Sequence, residues 1–177
     1  MDSAQTFFLF IDIKTDGPTT WPAVLSALEP LRSAGYLSSY DGATFTTRPV
    51  TVVGTGKTPL WLVQAAVPRD AFYDAPLSLL NSTHNNVTAN DSPIASTDFE
   101  ASFGHVRKPE LDDAQLATLR AQVKTAQDKG IKARYWNHPQ YPIGTRNAMW
   151  KLLWDEGVGL LNADDLAAAA GYWEGTT

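Results

Sequence analysis

Apolar runs and helical patterns alternate along the chain, beginning with the near-continuous apolar run Phe7–Ile13. Such a run is typical of a strand that is buried on both faces, and the turn residues at 15–18 close it. A helix capped by Thr20 and ending at Gly35 is predicted next, and Pro30 is expected to kink that helix because proline lacks the amide donor.

The rest of the chain repeats this strand-then-helix order. Strands are predicted over 49–53, 70–73, 131–136 and 158–161, and helices over 59–67, 112–129, 145–156 and 162–170. The helix over 112–129 has the clearest signals, because Asp112 can cap it, Gln115 can close a capping box and Gly130 follows its end. The segment 81–109 shows no period and is predicted to be a long loop excursion.

A strand followed by a helix about five times predicts an α/β fold with a mainly parallel sheet and right-handed crossovers. In such sheets ligands bind at the carboxyl ends of the strands. The 177 residues are about two-thirds of the roughly 250 that a closed eight-stranded barrel needs. We therefore expect 1–177 to be a single partial barrel domain, and the abrupt start at an apolar strand suggests that upstream sequence is missing.

Composition removes several function classes. The net charge of −5 carries no basic stripe, which argues against a nucleic-acid partner. No apolar stretch approaches the roughly 18 residues of a membrane span, so none is predicted. The absence of cysteine excludes disulfides and cysteine-based zinc sites.

Localisation stays open on the sequence. Asn81-Ser82-Thr83 and Asn86-Val87-Thr88 fit the acceptor pattern for N-glycosylation, which points to a secreted or endomembrane-lumen protein. The same polar stretch is also what a turn-rich loop looks like, and no secretory signal pattern precedes it.

Asp12 and Lys14 lie at the end of the first strand, two residues apart, and so point to one face. Placing charges in an apolar strand is costly unless they are paired or functional. The carboxylate could bind a hard divalent cation and the ammonium could neutralise a phosphoryl oxygen. A structural ion pair at the strand end explains the spacing equally well.

The segment Gly54–Thr58 (GTGKT) invites two nucleotide-binding interpretations, and both fail. A P-loop needs glycine at the position of Thr51, and a dinucleotide fingerprint needs it at the position of Pro59. What remains is a glycine-rich strand-to-helix turn that would let Lys57 approach a ligand, or simply a tight turn.

Two further strand ends carry polar and aromatic candidates. Arg134 and Trp136 share a face and could bind an anionic, partly apolar substrate, or else form a surface salt bridge and a core contact. Asn162, Asp164 and Asp165 follow the last strand, and Asp165 suits a helix N-cap. The histidines at 84 and 138 lie in polar loops and are predicted to be exposed, and no histidine spacing indicates a zinc site.

Five motifs in this order resemble the fungal family called altered inheritance of mitochondria protein six: IDIKTDG, VTVVGTGKTP, IKARYWN, PIGTRNAMWKLLWDEG and VGLLNADDL. That family is similar to the phospholipase-C-like phosphodiesterases, which include glycerophosphodiester phosphodiesterases. The resemblance runs from Phe7 to Trp173 and implies a TIM barrel, with this chain at its fourth through eighth strands.

The resemblance also implies roles for particular residues. Asp12 would complete the carboxylate shell of a magnesium or calcium ion, and Lys14 would steady the phosphoryl charge. Trp136 and Asn162 or Asp164 match positions that line the mouth of related barrels. The family's histidines and its Glu-x-Asp pair have no counterpart here, so the isolated chain is expected to be inactive and to expose open sheet edges that favour self-association.

Three functions therefore stay open. The first is the C-terminal part of a metal-dependent phosphoric diester hydrolase that acts on a lipid-derived or glycerophosphodiester headgroup. The second is a non-catalytic protein in which Lys14, Lys57 and Arg134 bind a phosphorylated headgroup. The third is a sugar-processing barrel, which needs a second carboxylate facing the first, and strand ends offer only Asp74 and Asp164.

Overall fold

The computed structural model of the chain describes residues 5–174, and of 173 and 174 it describes the backbone alone. The chain divides into two compact units. Unit 1 holds the residues up to 75 together with 86–94, and unit 2 holds 76–85 and the residues from 95 on. The single domain expected over 1–177 stays a prediction.

Unit 1 contains a parallel sheet, a short hairpin and three helices among its described residues. In chain order they are β1 Phe7–Ile13, α1 Gly17–Ala27, α2 Glu29–Ser33, β2 Ser39–Tyr40, β3 Phe45–Thr46, β4 Val50–Gly56, α3 Leu60–Ala65 and β5 Ala71–Pro76. The sheet order is β1-β4-β5, and β2 and β3 pair with each other in antiparallel fashion.

Strand β1 confirms the predicted first strand but not its predicted burial. It pairs in parallel with β4, from Phe7 opposite Val50 to Ile13 opposite Gly56. Among the described residues β4 is its one partner, so β1 is an edge strand. Ile13 is buried, whereas Phe7 is 65% exposed, so packing on the faces of the sheet covers the end of the strand and not its beginning.

Helix α1 begins earlier than the sequence predicted. Asp16, and not Thr20, is its N-cap: the Thr19 amide donates to Asp16 Oδ2 at 3.0 Å. Pro18 fits the first turn because those amides have no partner inside the helix. One helix kinked at Pro30 was predicted, whereas two helices form: α1 ends at Ala27, and Pro30 lies in the first turn of α2, where its missing amide donor leaves no gap.

The glycine-rich segment predicted as a turn is the last part of β4, which continues through Gly56. Gly54 is needed there because other groups pack where its side chain would be. A Cβ on Gly54 would lie 2.7 Å from Thr58 Oγ1 and 2.8 Å from the Trp21 ring. Gly54 therefore allows α1 to pack closely on the strand. The sequence pattern did not predict this contact.

Arg69 is a buried cation of unit 1, at 9% exposure. Its guanidinium donates to Asp91 Oδ1 at 2.9 Å and to the Asn90 carbonyl at 3.1 Å. It also lies 4.8 Å from the centroid of the Tyr40 ring. Three carbonyls at the end of α3 and just after it accept from the same group, those of Val63, Gln64 and Ala66. The arginine thus ties the segment 86–94 to α3.

Besides the 3-10 helix Leu77–Leu79, unit 2 contains three strands and four α-helices among its described residues. In chain order they are β6 Ile94–Asp98, which begins at the last residue of unit 1, α4 Phe99–Phe103, α5 Asp113–Asp128, β7 Lys132–Trp136, α6 Ile143–Asp155, β8 Leu160–Leu161 and α7 Leu166–Glu174. Strand β7 lies between β6 and β8 and pairs with β8 in parallel.

The loop excursion predicted over 81–109 is interrupted by β6 and α4. Strand β6 has the sequence IASTD, in which Ile94 and Ala95 are fully buried and the other residues are small and polar. A strand with so few apolar side chains has no two-residue period to detect, so the sequence pattern missed it.

Helix α5 confirms its prediction in detail. Asp112 and Gln115 form the full capping box, and Leu119, Val123 and Ala126 are its buried face. Nearby, Phe99 and Phe103 pack in edge-on and tilted contacts with Tyr135, and burial raises the pKa of that tyrosine.

The fold class is confirmed. Parallel strands followed by helices build both units, which is the mixed α/β architecture of a partial barrel. The described residues hold six such strands where about five were expected, because β6 lies in the segment predicted as loop. No helix in this part of the chain is long and apolar enough to cross a bilayer.

Replacing Arg69 with alanine is expected to lower the free energy of unfolding by about 3 to 5 kcal/mol, since Asp91 would stay buried without its cation. Arg48→Ala is the control, because Arg48 is an exposed arginine of the same unit, and it should change stability by less than about 0.5 kcal/mol. Urea unfolding followed by circular dichroism measures both. An equal loss in the two variants would contradict the structural role of Arg69.

Candidate functional site

The carboxyl end of β1 carries the first predicted pair. Asp12 lies opposite Thr55 of β4, and Lys14 follows the strand directly. Lys14 Nζ lies 2.6 Å from Asp12 Oδ2, and the two side chains are 82% and 45% exposed. The predicted common face is therefore realised as an exposed ion pair, while the predicted roles in metal and phosphate chemistry stay predictions.

Gly56 shapes the environment of Asp12. Its φ is 67°, and a Cβ on it would collide with Asp12 Oδ1 and lie 2.5 Å from the Ile13 carbonyl oxygen. The Lys57 amide donates to that same carbonyl at 2.8 Å. The carboxylate thus rests against backbone, in a space that only glycine leaves open.

Lys57 is exposed, just beyond the end of β4. Hydrogen bonds from the Thr19 hydroxyl and amide lower the pKa of nearby Asp16, and the charge of Lys57 lowers it further. The cation therefore interacts electrostatically with the start of α1. Its predicted contact with substrate stays a prediction.

A divalent cation is not accommodated by these residues alone. Magnesium and calcium take six or more oxygen ligands. Asp12 is a single carboxylate residue, and its carboxylate is already paired with Lys14. Within the described part of the chain, no group of three or more acidic or histidine side chains is placed to hold a metal ion. Asp74, considered for a sugar-processing site, is only 9% exposed.

Unit 2 gathers polar side chains at the carboxyl ends of its strands, centred on Arg134. The guanidinium donates through Nη1 to Ser96 Oγ of β6 at 3.2 Å and through Nη2 to Asn162 Oδ1 at 2.5 Å. These two bonds orient the guanidinium between β6 and the residue that follows β8. The structure therefore brings together two of the predicted residues, Arg134 and Asn162.

Trp136 lies two residues beyond Arg134 on β7 and is 42% exposed, so it is not the core residue of the alternative interpretation. Asp164 is exposed in the loop after β8. Asp165 confirms its predicted role as N-cap of α7, because the Ala168 amide donates to its Oδ1 at 3.0 Å.

Three residues of this cluster were missed by the sequence interpretation. His138, predicted to be exposed, is 2% exposed. Ser96 and Asp98 lie in the segment predicted as loop; Asp98 caps α4 and accepts from the Asn137 side chain at 3.0 Å. The polar residues around His138 gave no sign of burial, since the carbonyl that accepts from it, that of Asn162, lies 24 residues further along the chain.

Comparison with known proteins bears on the first unit most directly. Residues 1–74 match the family described as AIM6-like phosphodiesterase domain. The family resemblance inferred from the motifs is confirmed. The match to this domain supports a phosphodiesterase-like family for the chain. No solved structure matches the chain.

Relatives extend the AIM6-like match over nearly the whole chain. Altered inheritance of mitochondria protein 6 homolog of Arthroderma benhamiae is 46% identical over 97% of this chain and 54% of its own length. Altered inheritance of mitochondria protein 6 of Eremothecium gossypii is 35% identical over 95% of this chain and 46% of its own length. The corresponding protein of Lachancea thermotolerans is 28% identical over 91% and 43%. The chain spans about half the length of these curated relatives.

Gly56→Ala tests whether glycine is required beneath the Asp12 carboxylate. Gly35→Ala is its matched control: Gly35 has a similar φ of 71° but nothing within 4 Å of a Cβ. The control should lose about 1 to 2 kcal/mol of unfolding free energy, the usual cost of a left-handed residue with a side chain. Gly56→Ala should lose more, because the clash adds to that cost. Equal losses in urea unfolding would refute the close packing of Asp12.

Proposed function

We propose that this chain supplies the headgroup-binding part of a phosphoric diester hydrolase that acts on a lipid-derived or glycerophosphodiester substrate. The observation that carries the proposal is the Arg134 guanidinium, oriented by Ser96 and Asn162 beside the half-exposed Trp136. The phosphodiesterase-like family supports the same reaction class.

The chemistry of this cluster suits a phosphodiester. An arginine can bind two phosphoryl oxygens with parallel N–H groups, and holding it beforehand reduces the entropy lost on binding. The Trp136 ring offers an apolar surface for the carbon part of the substrate. Asn162 and Asp164 are proposed to contact the polar groups of that part.

In unit 1, Lys14 is proposed to stabilise negative charge on the phosphoryl group, and Lys57 to attract the anion. Asp12 is proposed as one ligand of a magnesium or calcium ion, which would neutralise phosphoryl charge when bound. Hydrolysis adds water across the P–O ester bond, so an alcohol leaves with a proton. We assign that proton transfer to no residue.

The Asp12–Lys14 ion pair favours a second candidate, a protein that binds phosphorylated headgroups without turnover. A carboxylate neutralised by Lys14 attracts a metal ion weakly, and a single carboxylate residue leaves most of the coordination sphere to water. We therefore expect the isolated chain to bind anionic headgroups and not to cleave them.

Binding is tested by titrating the chain with glycerol 3-phosphate in a calorimeter. Arg134→Gln should weaken binding by about tenfold or more, as expected when a charge-assisted hydrogen bond to phosphate is lost. Arg120→Gln is the matched control in the same unit, since Arg120 forms an exposed pair with Glu156. Unchanged affinity in Arg134→Gln would refute the proposed headgroup site.

Turnover is tested separately with bis(p-nitrophenyl) phosphate in the presence of Mg²⁺ or Ca²⁺. We expect no metal-dependent release of nitrophenol by the chain. Release that disappears in Asp12→Ala and on chelation would show that the isolated chain is a hydrolase after all, and that Asp12 holds the metal. Lys124→Ala, which removes an exposed charge on α5, is the control for nonspecific effects.

A further inference from the structure

His138 is a buried imidazole in the loop that follows β7. It is 2% exposed, whereas its neighbours Asn137 and Gln140 are exposed. Burying a polar ring is costly unless its nitrogens have partners. The proposed function leaves this side chain without a task.

The partners of His138 define which nitrogen carries the proton. Nε2 lies 2.6 Å from the Asn162 carbonyl oxygen, which can only accept, so Nε2 donates to it. The indole N–H of Trp150 is also directed at Nε2, but its nitrogen is 3.4 Å away, so the shorter bond to the carbonyl decides the assignment. Nδ1 lies 3.3 Å from the Gln140 amide nitrogen, which can donate to it. The imidazole therefore carries its proton on Nε2 and is held from both sides.

The ring is also fixed by α6. The indole of the fully buried Trp150 meets it edge-on, with ring centroids 6.3 Å apart. Trp150 is in turn covered by the Arg146 guanidinium at 4.4 Å, and Arg146 forms an ion pair with Asp165 at 3.2 Å. His138 is thus clamped between the loop after β8 and a packed helix.

We propose that His138 is a positioning residue that aims the Arg134 guanidinium through Asn162, an inference that rests on the proposed headgroup site. Asn162 accepts two hydrogen bonds: its backbone carbonyl accepts from His138, and its side-chain oxygen accepts from Arg134.

Asn162 needs this second support because the strand before it is short. Strand β8 has two residues, with only two registered pairs to β7. So brief a ladder fixes the following residue poorly, whereas a hydrogen bond from a clamped ring fixes its backbone. With the backbone fixed, Asn162 Oδ1 stays where Arg134 reaches it.

Three variants separate positioning from general stability. His138→Gln keeps a side-chain N–H donor at a similar reach, and His138→Phe keeps a ring of similar size without any donor. Leu119→Ala removes fully buried apolar volume from α5 of the same unit, so it lowers stability while every side chain that hydrogen-bonds to His138 or Asn162 is kept. Melting temperatures show how far each variant is destabilised.

The first readout needs no ligand: the order parameter of the Arg134 Nε–H group from nitrogen-15 relaxation. It should fall in His138→Phe and stay near the wild-type value in His138→Gln and in Leu119→Ala. An Arg134 group as ordered in His138→Phe as in wild type would overturn the proposal.

The second readout is the affinity for glycerol 3-phosphate. His138→Phe should weaken the affinity by roughly 3- to 10-fold, which corresponds to the net contribution of one ordinary hydrogen bond. His138→Gln should bind with nearly the wild-type affinity, because it keeps a donor. A loss of the same size in Leu119→Ala would overturn the proposal, because destabilisation alone would then explain it. If the wild-type chain does not bind the ligand, the headgroup site fails, and the order parameter still decides the role of His138.

Discussion

A guanidinium that leaves water must find an oxygen for each N–H group it buries, and in unit 1 this requirement fixes the course of the chain around Arg69. The acceptors come from the end of α3 and from the turn at 88–91. Because the cost of a missing partner is high, those backbone segments have little freedom to move independently. This explains why 86–94 belongs to unit 1 although 76–85 belongs to unit 2.

The same requirement operates differently at the strand ends of unit 2. Arg146 is largely buried and satisfied by Asp165 and the Trp150 ring, whereas Arg134 is only half buried, and the two bonds described for it go to neutral oxygens. The first arginine therefore helps to hold α6 against the start of α7. The second is held in position by its bonds to Ser96 and Asn162.

Elements whose signals are local were predictable from the sequence. The capping box of α5, the strand β1 and the cap at Asp165 each depend on residues a few positions apart. The features that the sequence did not predict depend on contacts with residues far away along the chain. Strand β6 is buried by its surroundings and not by its own hydrophobicity. His138 can be buried because a carbonyl 24 positions later accepts a hydrogen bond from it. The candidate pair Asp12 and Lys14 was predictable as a contact, but its exposure was not, since an edge position cannot be inferred from the strand itself.

That edge position gives the Asp12–Lys14 pair a second consequence. An apolar edge strand with open backbone groups is a template onto which other chains can add, and charged residues at its end discourage such stacking. The pair places two charges at the end of the apolar sequence FFLFI. A variant made to study phosphate chemistry removes one of these charges from an edge strand as well. Soluble, monomeric protein therefore has to be quantified before any loss of function is ascribed to the missing group.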